Sequence, residues 1–223
     1  MELIKTKDLS KVYVSGETET RALNGVSLII ENGEFSAITG PSGSGKTTLF
    51  NLIGALDSPT SGTISFDGDD LSSFNRKERT VFRREKIGFV FQTFNLIPVL
   101  TAFENVAFPL NLLSVSEKEI KSKVYNLLEK VGLKGMEERK PAALSGGQQQ
   151  RVAVARALIK EPILVLADEP TANLDSGTGR EIMKLMRQLN KEDEITFLFA
   201  THDPIVMDFS SRRIKLRDGK IQE

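Results

Sequence analysis

Gly40-Pro41-Ser42-Gly43-Ser44-Gly45-Lys46-Thr47-Thr48 follows directly on the apolar run Phe35–Thr39 and precedes Leu49, Leu52, Ile53 and Leu56, which recur at helical spacing. The pattern G-x-x-x-x-G-K-[ST] between a strand and a helix is that of a phosphate-binding loop. Glycine leaves backbone N–H groups free to point at phosphate oxygens with no Cβ in the way. The helix predicted over Lys46–Leu56 brings its positive end to the same anion. Lys46 has the reach for the β- and γ-phosphates, and the Thr47 hydroxyl suits Mg²⁺. Gly40, Ser42, Gly43, Ser44, Gly45, Lys46, Thr47 and Thr48 are therefore the candidate nucleotide-binding residues. The competing reading is a flexible Gly/Ser loop, which does not account for the flanking strand and helix.

Outward from this loop, strands and helices alternate. Val26–Ile30, Thr63–Phe66 and Ile87–Phe91 read as strands, with turns at Asn32-Gly33 and Ser58–Gly62. Ile163–Ala167 and Ile195–Ala200 are apolar throughout, as strands covered on both faces must be. Ile182, Leu185, Met186 and Leu189 mark a helix over Glu181–Leu189. Ile214–Leu216, Asp218-Gly219 and Lys220-Ile221 form a terminal hairpin pattern. The middle is helical: Ser116 and Glu119 read as a capping box ahead of Ile120, Val124, Leu127, Leu128 and Val131, with Gly132 as the stop. A further helix opens at Gly146 and carries Val152, Ala155, Leu158 and Ile159 on one face. These patterns predict a single α/β domain over 1–223. Its core, about 1–92 and 159–223, has a largely parallel sheet, and a helical subdomain, about 93–158, is inserted in it.

Composition narrows the function classes. The 223 residues carry 30 Lys plus Arg and 30 Asp plus Glu, so there is no basic excess of the kind that holds nucleic acid. Without cysteine, and with one histidine, disulfide scaffolds, thiol catalysis and Cys- or His-rich metal sites are excluded. No apolar run approaches the roughly 20 residues of a membrane span.

Two further clusters carry chemistry. Asp168-Glu169 ends the strand at 163–167. Strand alternation would send the two carboxylates to opposite faces, so they differ in role. Asp168 suits the direct or second shell of Mg²⁺, and Glu169 suits orienting or deprotonating an attacking water. Leu144-Ser145-Gly146-Gly147-Gln148 opens a helix with Ser145 as N-cap, which reads equally as a capped helix or as a second anion site.

These segments together resemble the ATP-binding subunit of ABC transporters, a P-loop NTPase, along nearly the whole chain. Gly40–Thr47 resembles the Walker A loop, Leu144–Gln148 the LSGGQ signature, and Ile163–Asp168 the Walker B strand. Glu169 resembles the catalytic glutamate, Gln92 the Q-loop glutamine, Asn173-Leu174-Asp175 the D-loop and His202 the switch histidine. Tyr13 matches the aromatic residue that stacks on adenine. The resemblance implies an ABC-type core with an added N-terminal antiparallel β part. It also implies a head-to-tail homodimer enclosing two Mg-ATP. Ser145, Gly146, Gly147, Gln148 and Asp175 would act in trans on the partner's nucleotide. Thr47, Gln92 and Asp168 would hold the metal, and Glu169, His202 and Gln92 would serve hydrolysis.

Within the family, Gln92–Pro98, Glu104-Asn105-Val106, the run Gln148-Gln149-Gln150 and the segment Ser15–Thr20 resemble the MacB/LolD branch. That branch implies an exporter or lipoprotein-release system. Its integral membrane permease is expected to dock near Gln92–Phe108, placing the chain peripherally on the cytoplasmic face of the inner membrane. Because some members of the branch fuse the permease to the cassette's C-terminus, either a separate subunit or part of a fusion is expected. The alternatives are a non-transport ABC ATPase acting on nucleic acid or ribosomes, and a P-loop kinase. The first lacks its tandem cassettes, coiled coils or basic surface here, and the second has no use for a signature segment.

Overall fold

A computed structural model describes residues 1–16 and 18–222. Among these residues ten strands and seven α-helices run in the order β1 (Glu2–Ser15), β2 (Thr18–Glu31), β3 (Phe35–Thr39), α1 (Lys46–Ile53), β4 (Ser61–Phe66), β5 (Asp69–Asp70), α2 (Arg76–Lys86), β6 (Ile87–Val90), α3 (Ala102–Asn111), α4 (Glu117–Lys130), α5 (Gly146–Leu158), β7 (Leu164–Asp168), α6 (Ser176–Asp193), β8 (Thr196–Thr201), α7 (Pro204–Phe209), β9 (Arg212–Arg217) and β10 (Lys220–Gln222). An antiparallel sheet has the order β2-β1-β4-β5, and a second sheet the order β10-β9-β3-β8-β7-β6. In the second sheet β9, β3, β8, β7 and β6 are parallel, and β10 is antiparallel to β9.

The parallel sheet separates two hydrophobic cores. Alternation sends Val165, Ala167, Phe197 and Phe199 into a core shared with α3, α4, α5 and α6. Leu164, Leu166, Leu198 and Ala200 enter the other core, with α1 and the antiparallel sheet. The continuous apolar runs of β7 and β8 follow from cover on both faces.

Several elements differ from expectation. The strand read at Val26–Ile30 is the end of the 14-residue β2, and its partner β1, equally long, shows no clear pattern in the sequence. Of the segment Ser15–Thr20, Glu17 lies outside the described residues. Helix α1 stops at Ile53 instead of Leu56, because the chain turns through Ala55 at φ +53° and leaves Leu56 49% exposed. Helices α2, α3 and α7 are additional to the expected elements. Capping boxes at Asn75/Glu78 and Thr101/Glu104 start the first two, and Asp203 caps the third. The Ser116 hydroxyl accepts from the Glu119 N–H at 3.4 Å, but only this half of the expected capping box forms. Asp168 belongs to β7, whereas Glu169 lies beyond it at φ +46°, so a turn, not strand alternation, aims its side chain.

Candidate nucleotide-binding and hydrolysis site

The loop at 40–47 joins β3 to α1. Gly45 takes φ +103° as the residue before the helix, where L side chains are strained. A Cβ on it would lie 2.5 Å from the Ala22 carbonyl oxygen, and one on Gly40 would lie 2.1 Å from that of Leu216. The loop is thus built against the β2 and β9 backbones, and the Gly219 N–H bonds the Ser44 carbonyl at 3.0 Å. Ser44 is buried, and its hydroxyl oxygen has no partner among the described residues. The Lys46 ammonium folds back on the carbonyls of Gly40 (2.7 Å) and Pro41 (3.0 Å), as an anion-seeking cation does when the loop's own oxygens are nearest.

Carboxylates cluster at the C-terminal ends of β7 and β8. Burial, helped by the charge of Glu169, raises the Asp168 pKa, while Lys46 opposes the rise. Glu169 is held firmly. The Thr201 hydroxyl donates to its Oε2 at 2.8 Å, the His202 N–H donates to Oε1 at 3.1 Å, and the His202 ring Nδ1 also bonds Oε1. The Glu169 side chain is 13% exposed and that of His202 74%. Thr201 in turn accepts from the Asp203 N–H at 2.9 Å, and the Thr171 hydroxyl bonds the Asp203 carboxylate. Sequence reading missed Thr201 and Thr171. The available signal was position in the sequence: Thr201 directly precedes His202, and Thr171 follows Glu169 by two residues.

Gln92 is exposed after β6, and its carbonyl accepts from the Asn173 side chain at 2.9 Å, tying the segments at 92 and 173–175 together. Asp175 caps α6 through the N–H groups of Gly177 and Thr178, both at 3.0 Å, and accepts from the Thr178 hydroxyl at 2.6 Å. The Thr178 side-chain bond leads in lowering its pKa. Ser145 caps α5 in a full capping box with Gln148. Gly147 approaches Thr178 so closely that a Cβ would sit 2.5 Å from its methyl group, and Gly146 faces Leu174 and Phe94. Among the described residues no hydrogen bond joins 145–148 to the loop at 40–48; Gly146 and Gly147 pack instead against Leu174 and Thr178. Tyr13 lies 40% exposed on β1, its hydroxyl bonds Asp57 at 3.1 Å, and the Lys11 ammonium stands 5.0 Å over the ring.

The residues also fit a divalent cation. Among the described residues no cluster of three His, Asp or Glu could hold one. Mg²⁺, however, normally needs only one or two carboxylates, with water and substrate phosphates completing its shell. A half-buried carboxylate at 168, its pKa raised by burial and within electrostatic reach of Lys46 in the phosphate loop, meets the protein's share of that requirement.

The family profile described as ABC transporter matches residues 23–172. The chain belongs to the ABC transporter family. It is 48% identical over 99% of its length to an uncharacterised ABC transporter ATP-binding protein of Methanocaldococcus jannaschii, MJ0796, covering 95% of that protein. A macrolide export ATP-binding/permease protein, MacB, of Syntrophobacter fumaroxidans is 46% identical over the whole chain, which spans 31% of that longer protein. The fold matches a dimeric structure of MJ0796 in a post-hydrolysis state with ADP and Pi. Its TM-score is 0.90 at 47% identity, over 99% of this chain and 97% of that one. This ABC cassette is accordingly an ATP-binding domain and an ATPase. Among the described residues no helix is long and apolar enough to cross a membrane.

Proposed function

We propose that two copies of this cassette close head to tail over two Mg-ATP and drive an integral membrane permease, in an exporter of the MacB type. The observation that carries the catalytic reading is Glu169, fixed by Thr201 and His202 at the end of β7, in the parallel sheet whose β3 runs into the phosphate loop. ATP is the substrate. The loop 40–48 grips its phosphates, Lys46 exchanges its carbonyl partners for phosphate oxygens, and Tyr13 stacks on the adenine. Thr47, Asp168 and Gln92 would hold Mg²⁺, which when bound neutralises charge on the β- and γ-phosphates. Glu169 orients the attacking water and receives its proton, and exposed His202 meets the γ-phosphate. Ser145, Gly146, Gly147, Gln148 and Asp175 act on the partner copy's nucleotide, a reading supported by the packing of Gly147 on Thr178, which Asp175 caps. The core 1–92 and 159–223 carries the nucleotide, and the helical part 93–158 carries the signature. The permease docks near Gln92–Phe108 at the cytoplasmic face of the membrane.

Glu169→Gln tests this reading. It retains a side chain of the same shape and should lower turnover about 10²–10⁴-fold, with ATP binding intact and an ATP-dependent dimer visible by light scattering. Pull-down of that variant from solubilised membranes with ATP should recover a stoichiometric permease. Unchanged hydrolysis would remove Glu169 from its role.

A further inference from the structure

An aromatic ring that receives a base binds best when its plane is fixed beforehand, because ordering a side chain on binding costs affinity. Tyr13 is fixed by two charged neighbours that the ATPase reading leaves without a role. Asp57 lies in the turn that follows α1. Its Oδ2 accepts from the Tyr13 hydroxyl at 3.1 Å, and its Oδ1 accepts from the Lys11 ammonium at 2.8 Å. Lys11 also donates to the Ser58 carbonyl at 2.8 Å, and its nitrogen stands 5.0 Å over the Tyr13 ring, within cation–π range. One carboxylate thus holds the tip of the ring, and the cation held by the same carboxylate covers one of its faces. The opposite face is left for a base, in keeping with the exposure of Tyr13.

This pair differs from an open surface ion pair. The Lys11 side chain is 13% exposed and that of Asp57 32%, so solvent screens them less. Burial would raise the Asp57 pKa, but hydrogen bonds from Lys11, the Ser58 N–H and Tyr13 outweigh it and hold the carboxyl below its ordinary range. The turn is also sewn to β1. The Thr60 N–H donates to the Ser10 carbonyl at 2.9 Å, and the Val12 N–H donates to the Thr60 hydroxyl at 3.0 Å. On its other side the Asp57 N–H donates to the Asn51 carbonyl of α1 at 3.1 Å. Helix α1 begins at the phosphate loop, so Asp57 joins the element that starts at the phosphates to the strand that carries the ring.

We infer that Asp57, together with Lys11, is a positioning residue for base recognition, holding Tyr13 in the orientation whose open face takes the adenine. This rests on the proposed stacking of Tyr13. Neither charged group acts on the nucleotide itself. Their loss should therefore weaken a ligand that has a base and spare one that has only phosphates.

The test compares Mg-ADP with magnesium pyrophosphate by calorimetry on the isolated cassette, two ligands that share the diphosphate and differ in the base and sugar. Tyr13→Ala should weaken ADP about 5- to 150-fold, the range of base–aromatic stacking, and leave pyrophosphate unchanged. Asp57→Ala should weaken ADP about 2- to 10-fold, as expected when one side chain must be ordered on binding, and also spare pyrophosphate. In the Tyr13→Ala background it should add little, because it acts through the ring. Asp57→Asn keeps an acceptor for the hydroxyl and should recover part of the loss. Tyr13→Phe loses only the hydroxyl contact and should weaken ADP in the same way, an independent reading should Asp57→Ala fold poorly. In hydrolysis, Asp57→Ala should raise KM for ATP with kcat unchanged. The chain has two tyrosines and no tryptophan, so in a Tyr125→Phe background Tyr13 is the sole tyrosine emitter. Its fluorescence anisotropy should decay faster once Asp57→Ala is added. The inference is overturned, with stacking left standing, by unchanged ADP affinity in Asp57→Ala, by an equal loss of pyrophosphate, by a full additional loss in the Tyr13→Ala background, or by an unchanged anisotropy decay. Unchanged ADP affinity in Tyr13→Ala would overturn the stacking reading itself.

Discussion

The packing of Gly147 against Thr178 permits a sharp test of why this position carries no side chain. In Gly147→Ala the new Cβ would stand 2.5 Å from the Thr178 methyl carbon, against the about 3.5–4.0 Å of normal carbon contact. Thr178 has little freedom to swing away, because its hydroxyl donates to Asp175 and its N–H is capped by the same residue. Overpacking of this kind costs about 1–3 kcal/mol. Alanine returns up to about 1 kcal/mol over glycine within a helix, and Gly147 lies inside α5. The single variant is therefore destabilised by a net value between about 0 and 3 kcal/mol, too wide a range to decide the cause. A double-mutant cycle decides it. Thr178→Ser removes the clashing methyl but keeps the hydroxyl for Asp175. In the wild-type background it should cost about 0.5–1 kcal/mol for one partly buried methyl. In the Gly147→Ala background it should stabilise. Urea unfolding of the four proteins should then yield a coupling energy of about 1–3 kcal/mol. Hydrolysis should fall about 10²-fold in Gly147→Ala, as a roughly 1 Å displacement of a positioning element does, and recover in the double variant. Stability effects that add to within about 0.5 kcal/mol would refute the steric account.

Further outcomes follow from the same geometry. Gly40→Ala should abolish nucleotide binding by calorimetry, since its Cβ would meet a backbone carbonyl at 2.1 Å, which no side-chain rotation relieves. Ser145→Arg should eliminate hydrolysis yet leave ATP affinity of the monomer unchanged; loss of monomer binding would contradict action in trans. Lys160→Met should stabilise the isolated cassette at pH 7 by about 1–2 kcal/mol, discounted for the solvent-exposed part of the side chain. The sign is fixed by linkage. With its folded pKa near 8, below the ordinary 10.5, Lys160 binds fewer protons folded than unfolded between those values. Its penalty is therefore full below pH 8 and fades as pH rises toward 10.5, so the advantage of Lys160→Met over wild type in urea midpoint should shrink across that window.

Legibility in the sequence tracks burial. β3, β7 and β8 are covered on both faces, so they read as unbroken apolar runs, and the loop and acidic pair can be placed on their ends. β1 interleaves Lys5, Lys7, Asp8 and Lys11 with its apolar residues and shifts register several times against β2, which erases the alternation. Helix α2 buries only Phe82, and α3 carries Pro109 inside it and the polar Asn105 on its buried face, so neither has the plain sequence signature of an amphipathic helix. The candidate site is legible as motifs but not as an arrangement. β7 pairs with β8 so that Asp168 lies opposite Ala200, which sets Glu169 beside Thr201 and His202. Slipping that parallel register by a single residue would still leave every motif intact in the sequence, yet it would carry the Thr201 hydroxyl away from Glu169. The orientation of the glutamate is thus a property of two strands that are about thirty residues apart in the chain, fixed by the packing of Leu164, Leu166, Phe197 and Phe199 into opposite cores. Core substitutions on β7 or β8 that shift this register should impair hydrolysis before they impair nucleotide binding, because the loop at 40–47 is braced by β2 and β9 instead.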